Sequence, residues 1–151
     1  MNELAELHPC LPAMTPQAVA AVRELESRQM AGEQVPIRTD HLIHGHMYAR
    51  TICLPAGAAL TGALLKVATV LIVHGTCTVF TGDDEIHLAG FNVLPGSAGR
   101  KTAFIAHTDT HMTMVFPSLA NSVTEAEDQF TDEADLLFSR RGENSITITG
   151  E

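Results

Sequence analysis

From residue 47 to residue 117 the chain is a series of short apolar segments, each closed by a turn signal, and no helical period interrupts them. Residues 47–54 end at Pro55-Ala56-Gly57, and residues 59–66 and 68–73 follow, the latter closing at His74-Gly75. Residues 76–80 and 85–89 flank Thr81-Gly82-Asp83-Asp84, whose composition suits a tight hairpin turn. Residues 91–94 precede Pro95-Gly96-Ser97-Ala98-Gly99, and residues 101–107 and 110–116 complete the series before Pro117. Strands this short and this closely spaced cannot be joined by crossover helices. They predict an antiparallel sandwich, barrel or jelly roll.

The flanks have a different texture. Thr15-Pro16 supplies an N-cap and a proline suited to the first helical turn, and Val19, Val22 and Leu25 recur at helical spacing. This predicts a helix over residues 16–30, closed by Gly32. Near the C-terminus, Thr124-Glu125-Ala126-Glu127 and Thr131-Asp132-Glu133-Ala134 are capped helix starts, the second leading into Leu136, Leu137 and Phe138. Residues 145–149 alternate as an edge strand does, with a disordered terminus as the alternative. The expected organisation is a helical arm over residues 1–34, a β-barrel over 35–118 and an acidic helical extension over 119–151.

Composition narrows the function classes. With 151 residues, 45% of them hydrophobic, the chain is sized for one domain with its own core. Nine Lys and Arg against eighteen Asp and Glu give a formal charge of −9, which argues against nucleic acid or an anionic membrane as partner. The tight basic groups are Arg100-Lys101 and Arg140-Arg141, neither of them a phosphate-tracking stripe. Cys10, Cys53 and Cys77 form no CxxC spacing, consistent with a reduced, cytoplasmic setting. The first residues are acidic rather than basic, so no signal peptide is expected, and the longest apolar run, residues 67–73, is strand-sized.

Three groups of residues could carry chemistry. His41, His44 and His46 form the densest imidazole cluster, and on an extended segment His44 and His46 share a face that could hold a metal; the alternative is a surface connection before the first barrel strand. His107, Asp109 and His111 place two imidazoles beside a carboxylate able to orient one of them for acid–base work, against the plain reading of Asp109-Thr110 as a turn. Tyr48, Arg50, Lys66 and Thr69 are polar residues on predicted strands and form the candidate ligand-binding set. If the face shared by Tyr48, Arg50 and Ile52 points inward, Arg50 becomes an anchor for an acidic ligand; if outward, it is solvated or at an interface. The alternate face of residues 110–116, with Met112, Met114 and Phe116, is predicted core.

The order of Met47-Tyr48-Ala49-Arg50, Pro55-Ala56-Gly57, Leu60-Thr61-Gly62, the Gly75 turn, Ala98-Gly99-Arg100-Lys101 and His107-Thr108-Asp109-Thr110 resembles small cupin-like proteins encoded by tailed bacteriophages and prophages. Phe130-Thr131-Asp132-Glu133-Ala134-Asp135 and Ser139-Arg140-Arg141 extend the likeness. The resemblance implies a mostly β, cupin-like jelly roll (a double-stranded β-helix barrel). In metal-binding relatives the strand after the Thr-Gly pair carries a His and then a second His or Glu, and a third His ends the strand after the Asp-Thr pair. The matching positions here are Leu65, Ala68 or Thr69, and Phe116, while the stretch after the Pro-Gly turn reads Arg100, Lys101, Thr102 in place of a further His.

The expectation is therefore a barrel with no metal and no cofactor. Its expected role is that of a non-enzymatic assembly, virion-associated or host-interaction factor, in the host cytoplasm or the virion. The alternatives are a metal-independent isomerase, epimerase or lyase, and a protein that only binds a small ligand in its barrel. Partners are expected to be further copies of the chain, as a dimer or larger assembly, and a phage or host protein. The apolar faces of residues 59–65 and of the N-terminal helix are the sequence grounds for self-association.

Overall fold

The computed structural model describes residues 9–151, and its strands sort into two sheets facing one another. In chain order they are β1 (Thr39–His44), β2 (Met47–Leu54), β3 (Ala59–Thr61), β4 (Thr69–His74), β5 (Cys77–Phe80), β6 (Glu85–Leu88), β7 (Phe91–Gly96), β8 (Ala103–Ala106), β9 (Thr110–Pro117) and β10 (Asn144–Ile148). One sheet runs β10-β1-β2-β9-β4-β7, the other β3-β8-β5-β6. Every pairing is antiparallel except β1 with β10. Apart from the hairpins β1–β2 and β5–β6, paired neighbours are far apart in sequence and consecutive strands up to β9 pass from one sheet to the other, which is jelly-roll connectivity.

The two-residue period of a strand explains the layering. Leu54, Leu71, Val73, Leu94 and Met112 project inward from the larger sheet to meet Leu60, Val79 and Phe104 from the smaller one. A second apolar cluster closes one end of the larger sheet. There Tyr48 and Phe116 meet Phe130 of α2 (Val123–Phe130), with Ala126 and Leu137 packed beside them. Phe130 and Tyr48 stack at 6.3 Å between ring centroids, and Phe116 meets both edge-on. Burying an aromatic of this size stabilises by about 1.5–3 kcal/mol, so the C-terminal segment belongs to the core.

The N-terminal helix α1 (Pro16–Met30) forms as its sequence predicts, with Thr15 Oγ1 accepting from the Ala18 amide at its start. It buries Ala18 and Val22. Ala18 rests on the β5–β6 turn at Gly82, whose φ of +85° and lack of a side chain are both needed: a Cβ there would lie 2.6 Å from Ala18 Cβ. Lys101, fully buried, joins helix, barrel and C-terminal segment by donating to Glu26 (3.0 Å), Glu133 (3.1 Å) and the Gly62 carbonyl (2.9 Å).

Three expectations need correction. Residues 39–44 are not a surface connection but strand β1, held between β2 and β10. Residues 59–66 form a strand only as far as Thr61; beyond it the Leu64 amide donates to Glu133 and the Lys66 amide to the Phe130 carbonyl, so the C-terminal segment takes up the backbone that a sheet partner would use. The apolar faces of residues 59–65 and of α1 are in part taken up within the chain: Leu60 is in the core, Leu65 packs on the Tyr48 cluster, and α1 buries Ala18 and Val22 while Met30 stays exposed. The predicted edge strand at residues 145–149 is present, as β10. No helix of the described residues is long and apolar enough to cross a membrane.

Candidate functional site

Between the sheets lies a cavity of about 490 Å³. Ile52, Leu71, Met112 and Met114 line it from the larger sheet, and Leu60 and Phe104 from the smaller. Residues at the end of α1 and in the turns at Ala134–Leu136 and Phe138–Arg140 also line it. Three of its lining residues there, Met30, Val35 and Leu136, are 54%, 43% and 50% exposed, large apolar groups left facing water at the rim. The volume falls within the range of small-molecule sites, and the lining is mainly aliphatic and thioether.

The polar groups facing this lumen differ in how well they are satisfied. Arg50 points inward from β2, yet its charge is already matched. Its Nη1 donates to Glu127 Oε2 (3.0 Å), its Nη2 to Ser139 Oγ (3.1 Å), and its guanidinium lies 5.5 Å from the Phe130 ring centre. Glu127, fully buried, also accepts from Arg140 Nε (2.7 Å) and from Ser139 Oγ. Burial alone would push the Glu127 carboxyl up, but the hydrogen bonds from Ser139, Arg140 and Arg50 outweigh it and hold the group below the usual carboxylate range.

Arg100 is the opposite case. It is 1% exposed, lines the cavity and forms no ion pair with any described carboxylate. Nη1 donates to the Ser97 carbonyl (2.8 Å) and Nη2 to Thr69 Oγ1 (2.6 Å), while Nε has no partner. Burial pushes its pKa down to about 10, which leaves it a cation at neutral pH. The side chain lies flat on Gly96, where a Cβ would come within 2.6 Å of both terminal nitrogens. Thr39 Oγ1, also on the cavity lining and buried, has no partner either.

The predicted site residues are scattered by the fold. Tyr48 is fully buried; its hydroxyl donates to His41 Nδ1 (2.7 Å) and receives Arg50 Nη1 at 3.4 Å. His41 Nε2 faces Asn144 Oδ1 at 2.7 Å, and since the Asn144 amide nitrogen donates to two carbonyls, its oxygen must accept, which places the His41 proton on Nε2. His44 pairs with Thr149 Oγ1 on the far face, and His46 occupies the β1–β2 turn with φ of +57°. The three imidazoles thus point apart. Among the described residues no group of three or more His, Cys, Asp or Glu is arranged to hold a metal ion.

Lys66 is half-exposed and paired with Asp132, outside the lumen. Thr69 is buried as the acceptor for Arg100. His107, Asp109 and His111 lie outside the barrel and do not converge. His107 Nε2 meets Thr78 Oγ1 (2.8 Å), Asp109 Oδ1 caps the Ala56 amide (2.9 Å), and His111 is exposed on β9. The group missed by sequence reasoning is Arg100, read there as half of a basic pair and as the residue standing in place of a further His. The one local signal was its place beyond Pro95-Gly96, with no acidic residue nearby in sequence to neutralise it.

No protein-family model and no curated protein matches this sequence. Among solved structures, a cupin superfamily protein from Desulfitobacterium hafniense shares 16% identity over 74% of this chain and 97% of its own, with a TM-score of 0.48. A conserved protein of unknown function from Streptococcus pyogenes shares 17% identity over 58% of this chain and 79% of its own, at 0.44. A variant of the salicylate 1,2-dioxygenase from Pseudoaminobacter salicylatoxidans shares 13% over 86% of this chain and 43% of its own, at 0.48. It is the connectivity of its own two sheets, β10-β1-β2-β9-β4-β7 over β3-β8-β5-β6 with helices confined to the flanks, that makes this chain a mostly β, cupin-like jelly roll.

Proposed function

We propose that this chain is a small-molecule-binding protein that uses the barrel lumen as its ligand site without transforming what it binds. The observation that carries this reading is the cavity itself, about 490 Å³ with an apolar lining and exposed Met30, Val35 and Leu136 at its rim. Exposed apolar groups around a concave apolar site are stabilised by an occupant. The non-catalytic character is supported by the lining, in which no His, Cys, Asp or Tyr of the described residues takes part, and by its three glutamates, of which Glu26 and Glu133 are engaged in ion pairs and Glu33 is exposed. The test is fluorescence titration with the neutral dye N-phenylnaphthylamine. Blue-shifted, saturable emission is expected, and Ile52→Trp, which fills the lumen from β2, should weaken it at least tenfold. No binding, or equal binding by that variant, overturns the reading.

A second reading, self-association, is favoured by the outer face of the larger sheet. The outward positions of β2, β9, β4 and β7 carry no Asp, Glu, Lys or Arg, in a chain of net charge −9. One row across the sheet reads Leu42, Ala49, Val115, Val70, Pro95. An uncharged, apolar face is where a second copy of so acidic a chain can approach with least repulsion, and two copies of one face form a closed pair. The sequence resemblance to phage-encoded proteins supports placing such an assembly in a phage or prophage, as a component of the host cytoplasm or the virion.

A further inference from the structure

The apolar lining accounts for the walls of the lumen but not for Arg100. A guanidinium carries five N–H bonds, and here only two have partners. The other three cations that the fold buries or half-buries are matched: Arg50 by Glu127, Lys101 by Glu26 and Glu133, Arg140 by Glu127 and Asp128. Arg100 alone among the buried cations of the described residues has neither a carboxylate nor a partner for Nε. A buried charge left so is strongly unfavourable unless something else completes it. Gly96 shows that the position is built, because any side chain there would collide with the guanidinium.

We propose that the ligand of this lumen is an organic acid with an apolar body, its carboxylate held by the Nε edge of Arg100 and its body lying along Leu71, Met112, Met114 and Phe104. The proposal rests on the lumen being the ligand site. A carboxylate presents two oxygens to the planar fork of an arginine, so one group satisfies the Nε proton and a free proton of the adjacent terminal nitrogen together. One cation matches one negative charge. A phosphate monoester brings close to two, together with further oxygens that the aliphatic walls cannot satisfy. Thr39 Oγ1, the neutral polar atom without a partner among the lining residues, would serve a hydroxyl or carbonyl elsewhere on the ligand.

The experiment titrates the full chain with octanoate, octanol and octyl phosphate, each displacing N-phenylnaphthylamine, at neutral pH. Octanoate is expected to bind at least tenfold tighter than either analogue. Arg100→Met should remove that preference, read within the variant as the ratio of octanoate to octanol affinity, and Arg100→Lys, which keeps the charge but lacks the fork, should retain only part of it. Melting curves establish that each variant is folded, and Arg100→Lys carries the test if Arg100→Met does not fold. Dye binding without any preference for octanoate, or a preference that survives loss of Arg100, overturns this inference and leaves the lumen as a ligand site. Tighter binding of octyl phosphate through Arg100 overturns the carboxylate class. Failure of the dye itself to bind overturns the lumen reading beneath it.

Discussion

Arg100 lies with its guanidinium against the backbone of Gly96, in the space that any side chain at position 96 would fill. Gly96→Ala should therefore unseat the guanidinium and break its bonds to Ser97 and Thr69. Because the damage runs through Arg100, it should be much smaller in an Arg100→Met background. A double-mutant cycle by urea denaturation should show a coupling of about 0.5–3 kcal/mol between the two positions. Additive effects would show that the glycine is required for some other reason.

Without ligand, Arg100 is a buried cation that lacks a counter-charge, and Met fills similar volume without needing one. Arg100→Met should stabilise the ligand-free protein, by about 1–4 kcal/mol if it behaves as other buried ionic groups do on apolar replacement. A higher urea midpoint at unchanged slope is the expected result. A lower one would mean that the bonds to Ser97 and Thr69 outweigh the burial of the charge.

Lys101 should behave in the reverse manner. Its ammonium meets Glu26, Glu133 and the Gly62 carbonyl at about 3 Å, entirely out of solvent. Lys101→Met leaves Glu26 without its buried cation and removes one of the two cations on Glu133, so that only Arg23 still ties α1 to the C-terminal segment there. A loss of about 3–5 kcal/mol is expected in chemical denaturation.

Acid should weaken the fold in two stages. Burial holds the His41 pKa below its ordinary 6.5, against the opposing effect of the Asn144 hydrogen bond. Below about pH 6.5 the unfolded chain therefore binds a proton that the folded chain refuses, so stability falls as pH falls from that point. Glu127 follows at lower pH. Burial would raise it, but Ser139, Arg140 and Arg50 keep it ionised below the ordinary 4.5, and its contribution is lost as pH falls through that lower folded value. Urea midpoints against pH should decline from about 6.5, and His41→Gln should flatten the first stage alone.

The uncharged outer face of β2, β9, β4 and β7 predicts an assembly that a single charge can open. Val70 stands in the central row, beside Val115 and Pro95. Val70→Glu should convert the protein to a monomer in light scattering at micromolar concentration, with its melting curve shifted by no more than a surface change would bring. A wild-type chain that is monomeric under the same conditions removes this reading.

Much of the fold is written in local order. Thr15-Pro16 starts a helix wherever it stands before a helical period, Thr81-Gly82-Asp83-Asp84 turns a hairpin, and alternation along residues 110–116 assigns Met112 and Phe116 to the core whatever they pack against. These features depend on neighbours within a few residues, and the sequence displays them directly. Residues 39–44 carried no such signal. They become a strand because β2 lies on one side and β10, more than a hundred residues onward, on the other, and only that pairing sets His41 beside Asn144.

Two arginines of the lumen, Arg50 and Arg100, draw the same line. Alternation along β2 left open which way Arg50 faces, and it was the more promising anchor for an acidic ligand. Arg100 reads in sequence as half of a basic pair standing where a further His is expected. The fold brings Glu127 to Arg50 across 77 residues and brings no described carboxylate to Arg100. Charge is fixed by sequence, but whether a charge is spent inside the molecule depends on which side chains arrive beside it. At these separations that is decided by the packing of whole elements, and it is why the one buried cation of the described residues without a carboxylate could be identified only from the tertiary structure.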